Sequence, residues 1–221
     1  MAIMRRIGKS IGLLGMFLML LTATCYAIPV SVTFDGVDTS KAAVRSSAWA
    51  GFYSLSENNE QILGMCDDYN TDVKTSGAWN AELYSYTDIV NGVGRWGTPV
   101  ADYNVIGYLF MQSFDDNNSY IADRNLIADI NQAIWKVHDQ SLILTGQAQN
   151  LYDQAVQMIA YTGWYGYMNI LTPALLNGSP VSQEFLVRGS GPAPVPEPAT
   201  MLLLGAGLIG LAGFGRRRIR K

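Results

Sequence analysis

The stretch AWAGFYSLSENNEQILGMCDDY, residues 48–69, decides how the middle of this chain is read. Two runs rich in β-formers, 48–56 and 61–69, flank the polar turn Glu57-Asn58-Asn59-Glu60. Strand, short polar turn, strand is the signature of a hairpin. The second strand carries Cys66, between Met65 and Asp67-Asp68. PVSVTF (29–34) alternates around β-branched residues and predicts a further strand, and SQEFLVR (182–188) predicts a closing one. The stretch that follows the hairpin, with Gly77, Gly92, Gly94, Gly97 and Pro99, reads as loop.

Helices follow. Residues 102–114 carry Val105, Ile106, Leu109, Phe110 and Phe114 on one face. Residues 123–139 carry Leu126, Ile127, Ile130, Ala133, Ile134 and Val137 at helical spacing, and 146–162 repeat the pattern with Ala148, Leu151, Tyr152, Ala155 and Ile159. YTGWYGYMNI (161–170) reads as a glycine-punctuated corner, with sugar stacking as the functional alternative. Strands, then helices, then a strand predict an α+β body with a mainly antiparallel sheet or sandwich and a helical insertion of about three helices.

The two ends have a different character. Residues 1–27 hold Arg5, Arg6 and Lys9, an apolar run, and the ending Cys25-Tyr26-Ala27, the order of a secretory signal peptide. A lipoprotein cut before Cys25 is disfavoured by Thr24. The body spans 28–188, and 189–198 form a Gly/Pro linker. Residues 199–221 hold an uncharged run, Ala199–Gly215, then a basic tail with Arg216, Arg217 and Arg218, and predict a C-terminal transmembrane helix with that cluster kept cytoplasmic. The G-A-G-L-I-G at 205–210 is no nucleotide site, since no βαβ unit fits in the 11 residues that remain.

Eight of the 15 Lys+Arg lie in the two ends. Seven are left between 28 and 198 against all 18 Asp+Glu, a net charge of −11 with His neutral. Such a body repels nucleic acid and anionic lipid. With Cys25 removed, Cys66 stands alone in an exported protein and requires a chemical explanation.

Pro196-Glu197-Pro198, a short apolar helix and an arginine cluster, in that order, closely resemble the PEP-CTERM sorting signal. The resemblance implies export by a Gram-negative bacterium, a membrane-held precursor, an exosortase-type processing partner, and association with exopolysaccharide at the cell surface or outside it. Met65-Cys66-Asp67-Asp68 together with Asn131-Gln132-Ala133-Ile134-Trp135 resemble the thioester-domain family of bacterial surface adhesins. There a strand cysteine is bonded to a glutamine four residues before a tryptophan. Four before Trp135 is Asn131, not glutamine. At about 100° per residue Gln132 points away from the apolar arc, toward solvent. Cys66 and Asn131 are thus the thioester candidates. The favoured expectation is a non-enzymatic surface or matrix protein that kept the scaffold and lost the bond; the alternative is a covalent adhesin using Cys66.

Other chemistry is sparse. Asp68, Asn70 and Asp72 copy the first three positions of a calcium loop, but Val73 replaces its glycine and Trp79 its glutamate, so a solvated turn is preferred. Asp115-Asp116-Asn117-Asn118 reads the same way. A secreted hydrolase using Asp67, Asp68 or His138 lacks any hydrolase motif. No cofactor is expected.

Overall fold

The computed structural model describes residues 27–85, 88–89, 99–158 and 167–189. The signal peptide, most of the linker, the P-E-P motif, the apolar tail and the basic cluster fall outside them. Among the described residues no helix is long and apolar enough to cross a membrane.

The chain forms β1 (Ile28–Arg45), β2 (Ala48–Glu57), β3 (Glu60–Cys66), β4 (Trp79–Tyr84), α1 (Val100–Met111), α2 (Arg124–His138), α3 (Gly146–Gln157), β5 (Met168–Pro173), a small hairpin of β6 (Leu175–Leu176) and β7 (Ser179–Pro180), and β8 (Phe185–Arg188). The fold is α+β with an antiparallel sheet. The sheet does not stack as a sandwich: it closes into a barrel in the order β1-β2-β3-β8-β5-β4. Closure depends on β1, which pairs with β4 through Ile28–Val32 and with β2 through its later residues. Register shifts at Phe34/Gly36 and Val37/Ala42 bend it between the two tasks. Gly51 faces the second shift at φ +126°, where a Cβ would lie 2.3 Å from the Lys41 carbonyl oxygen, so only glycine fits.

Two strands lie where the sequence reads as loop or corner. Trp79–Tyr84 is β4, with Trp79 and Ala81 buried inward, and Met168–Pro173 is β5. Residues 161–166 of the aromatic stretch lie outside the described residues.

Alternation divides each strand between two cores. Inside the barrel Val32, Leu55, Cys66, Leu171, Phe185 and Val187 pack together. Outside it Phe52, Met65, Ile170 and Leu186 pack against Ile106, Phe110, Ile127, Ile130 and Ile134 of the helices. α2 lies in the middle. Asp123 caps it by accepting from the backbone of Asn125 and Leu126 at 2.9 and 3.2 Å. It touches α1 and α3 on one side and β1 and β2 on the other. This second contact overturns the solvent-facing expectation for Gln132. The residue is buried, and its Nε2 donates to Ser46 Oγ at 2.6 Å, under the β1–β2 turn.

Candidate functional site

Cys66 is the last residue of β3 and faces the barrel interior at 1 % exposure. Its strand pairs with β8, where Cys66 lies opposite Phe185. Gln183 is two residues before Phe185 and therefore projects to the same face. The thiol has one hydrogen and two acceptors close by: the Asp68 backbone oxygen at 2.8 Å and Gln183 Oε1 at 3.0 Å. The Gln183 amide carbon is bonded to that oxygen at ~1.23 Å, so it lies no more than about 4.2 Å from the sulfur. Turning the amide over would exchange its oxygen and nitrogen and leave the carbon in place. Gln183 is itself buried. Burial pushes the Cys66 thiol well above its ordinary pKa, and the neighbouring Asp67 charge adds to the effect. The sulfur is thus held as a neutral thiol beside an amide carbonyl, shielded from water.

Asn131 meets Cys66 at a different atom. Its Nδ2 donates to the Cys66 backbone oxygen at 2.6 Å, and its Oδ1 accepts from the Gly51 amide at 2.7 Å. Trp135 Nε1 donates to the same Cys66 oxygen at 3.1 Å. The side-chain amide at the sulfur belongs to Gln183, which sequence reasoning did not single out. The available signal was period-2 alternation in SQEFLVR, which places a glutamine on the same face as Phe185 and Val187. It is useful only once β8 is known to pair with β3.

The carboxylates around the cysteine are engaged with neighbours. Asp67 is fully buried and its Oδ2 lies 3.3 Å from His138 Nε2, so the only histidine is committed to a carboxylate. Asp68 Oδ1 accepts from the Asn70 amide at 2.9 Å, Asn70 Nδ2 reaches Asp139 at 3.3 Å, and Asp72 is exposed. These residues form a turn, and among the described residues no group of three or more His, Cys, Asp or Glu could hold a metal ion. In the second acidic turn Asp115 Oδ1 accepts from the backbone of Asn117 and Ser119 at 2.9 Å each. Glu184, next to Gln183, is buried and accepts from Tyr103 at 3.0 Å and from Thr172.

A groove of about 390 Å³ leads to the pair. Its walls include Trp49, Tyr53, Tyr69 and Trp135, and it carries Asp68 and Asp72 with no Lys, Arg or His among its described lining residues. A larger cavity, about 540 Å³, opens near the hairpin turn between Glu57, Gln61 and Arg188. It holds no nucleophile set against an electrophile, so chemistry rather than size selects the cysteine groove.

Residues 194–220 match the PEP-CTERM protein-sorting motif. No curated protein and no solved structure is similar to the chain. The motif is that of proteins exported in Gram-negative bacteria and processed at the membrane by an exosortase.

Proposed function

We propose that this exosortase-sorted protein is a cell-surface or extracellular-matrix interaction protein whose barrel carries an internal thioester between Cys66 and Gln183. It attaches covalently, once, to a nucleophile on its target. The observation that carries the reading is the Cys66 sulfur 3.0 Å from the Gln183 side-chain oxygen, with both residues buried.

The chemistry balances without a co-reactant. The Cys66 sulfur attacks the Gln183 amide carbon, the carbon–nitrogen bond breaks, and the thiol hydrogen leaves with the nitrogen as ammonia. In free solution a thiol does not displace an amide appreciably. Fixed contact supplies an effective concentration that reaches about 10⁵ M or more in well-oriented pairs, and ammonia escapes to the solvent. Burial keeps water from the acyl carbon until a target enters the groove. An incoming amine then attacks that carbon, forms an amide and returns Cys66 as a thiol. Aromatic walls and two carboxylates suit a primary amine carried on an apolar stem or face, and disfavour an anion. The chain is consumed by this event, so it is no enzyme in the sense of turnover.

The likeness to thioester domains keeps its cysteine and its Ala133-Ile134-Trp135 helix under this reading, while the acyl partner moves from Asn131 to Gln183. The uncharged run at 199–215 and Arg216–Arg218 support a membrane-held precursor, and the tail motif supports a final place at the surface, where exopolysaccharide is one available target.

Alkylation of the denatured, unreduced body tests the thioester. The expected result is no labelling of Cys66 until methylamine is added, and full labelling afterwards. Immediate labelling without methylamine would leave a buried free thiol and a non-covalent surface protein.

A further inference from the structure

We infer that Asn131 is the positioning residue of this site: its side-chain amide is built into the β2–β3 seam in place of a ladder hydrogen bond, and this holds the Cys66 thiol against Gln183. The chemical readout rests on the thioester reading; the geometry does not.

The missing ladder bond follows from the turn. Asn58 and Asn59 have φ of +49° and +71°, a two-residue turn closed by the pair Glu57 and Glu60. In an antiparallel hairpin alternate facing pairs exchange hydrogen bonds. From Glu57/Glu60 those pairs are Leu55/Ile62, Tyr53/Gly64 and then Gly51/Cys66. The paired register stops one step earlier, at Phe52/Met65. Where Gly51 N–H would donate to the Cys66 oxygen, it donates to Asn131 Oδ1 at 2.7 Å, and Asn131 Nδ2 donates to that oxygen at 2.6 Å. A whole amide thus stands where a direct bond of ~2.9 Å would run. Both backbone groups stay satisfied, and the strands part. Released from β2, the chain turns at Cys66, whose thiol bonds two residues ahead to Asp68 and across to Gln183. Cys66 and Gln183 line the groove together with Tyr53, Tyr69 and Trp135.

The task explains why residue 131 is asparagine. It needs an acceptor and a donor on one planar group. Aspartate accepts only, and leucine does neither. Glutamine has both, but one more methylene moves its amide by ~1.5 Å. Asn131 is fully buried, so no water can make good the difference.

The experiment uses the mature chain and compares wild type with Asn131→Asp, Asn131→Gln and the control Gln132→Ala from the same helix. Folding is followed by thermal unfolding, and thioester content by the fraction of molecules that have lost ammonia in the intact mass. Asn131→Gln, and Asn131→Asp if it folds, should unfold cooperatively with thioester content at least tenfold lower, while Gln132→Ala keeps it. Full thioester content in a folded Asn131 variant overturns the inference. If wild type itself has lost no ammonia, the thioester reading fails on its own. The seam is then read from native-state alkylation of Cys66 by iodoacetamide, which should be at least tenfold faster in Asn131→Gln than in wild type or Gln132→Ala. Equal protection in all three overturns the inference.

Discussion

The β2–β3 hairpin has two unlike ends. At the turn end Glu57 and Glu60 pair directly, closed by two asparagines in the left-handed region, and the register runs on without a break to Phe52/Met65. At the cysteine end the next pair is split by a side chain 80 residues from Gly51. The turn end is fixed by local chemistry, and its neighbouring cavity is the larger of the two. The cysteine end depends on a helix arriving from elsewhere, and it holds the nucleophile and its acyl partner. Backbone regularity and reactivity are separated along seven residues of one strand: β3 serves the ladder until Cys66, and there it serves the site.

The contrast can be broken most severely through α2. Ile130 is fully buried within the helical core, one residue before Asn131. Ile130→Asp places an uncompensated charge there, at a cost of about 4 kcal/mol or more, comparable with the whole stability of many domains. The expected result is loss of cooperative unfolding by tryptophan fluorescence; the turn end alone does not hold the barrel. A folded variant with a near-normal midpoint would mean that the cysteine end does not need the helix. Gln132→Ala is milder. It removes the bond to Ser46 and leaves that hydroxyl near solvent, so a loss of about 1–2 kcal/mol in urea unfolding is expected. No change would return Gln132 to the solvent side. The smallest effect belongs to the turn end. Asn59 sits at φ +71°, and Asn59→Gly makes the favoured Asn-Gly pair, for a gain of up to about 1 kcal/mol and an unchanged Cys66 environment. A changed Cys66 alkylation rate in that variant would show that the two ends are coupled.

The same division governs what was legible in the sequence. The hairpin and α2 could be read because their signals are local: the polar turn, and the helical spacing of Ile127, Ile130 and Ile134. The N-G pair at 177–178 announces the β6–β7 hairpin just as locally, and was a usable signal for the strand before it. β4 was legible in principle, since Trp79-Asn80-Ala81-Glu82-Leu83 alternates apolar and polar, but the run is only six residues long and its partners β1 and β5 are remote in sequence. Gln132 was misplaced because periodicity sees one apolar face, whereas α2 has two packed sides. Spacing alone could not choose Gln183, because the alternation of SQEFLVR points to it only once β8 is known to pair with β3. It reaches Cys66 across 117 positions through the β3–β8 pairing, and that pairing follows only from barrel closure. The tail is the opposite case: a sorting motif is read in linear order and needs no fold to be recognised.

The intact mass of the mature protein, purified without amines, tests the central claim most directly. It is measured against Gln183→Ala and Cys66→Ser variants processed at the same termini, so that the end points cancel. After allowance for each substitution, wild type should be lighter than both variants by about 17 Da, the ammonia lost when Cys66 and Gln183 join. A wild-type mass that agrees with the variants to within one dalton would contradict the thioester and leave Cys66 a buried thiol.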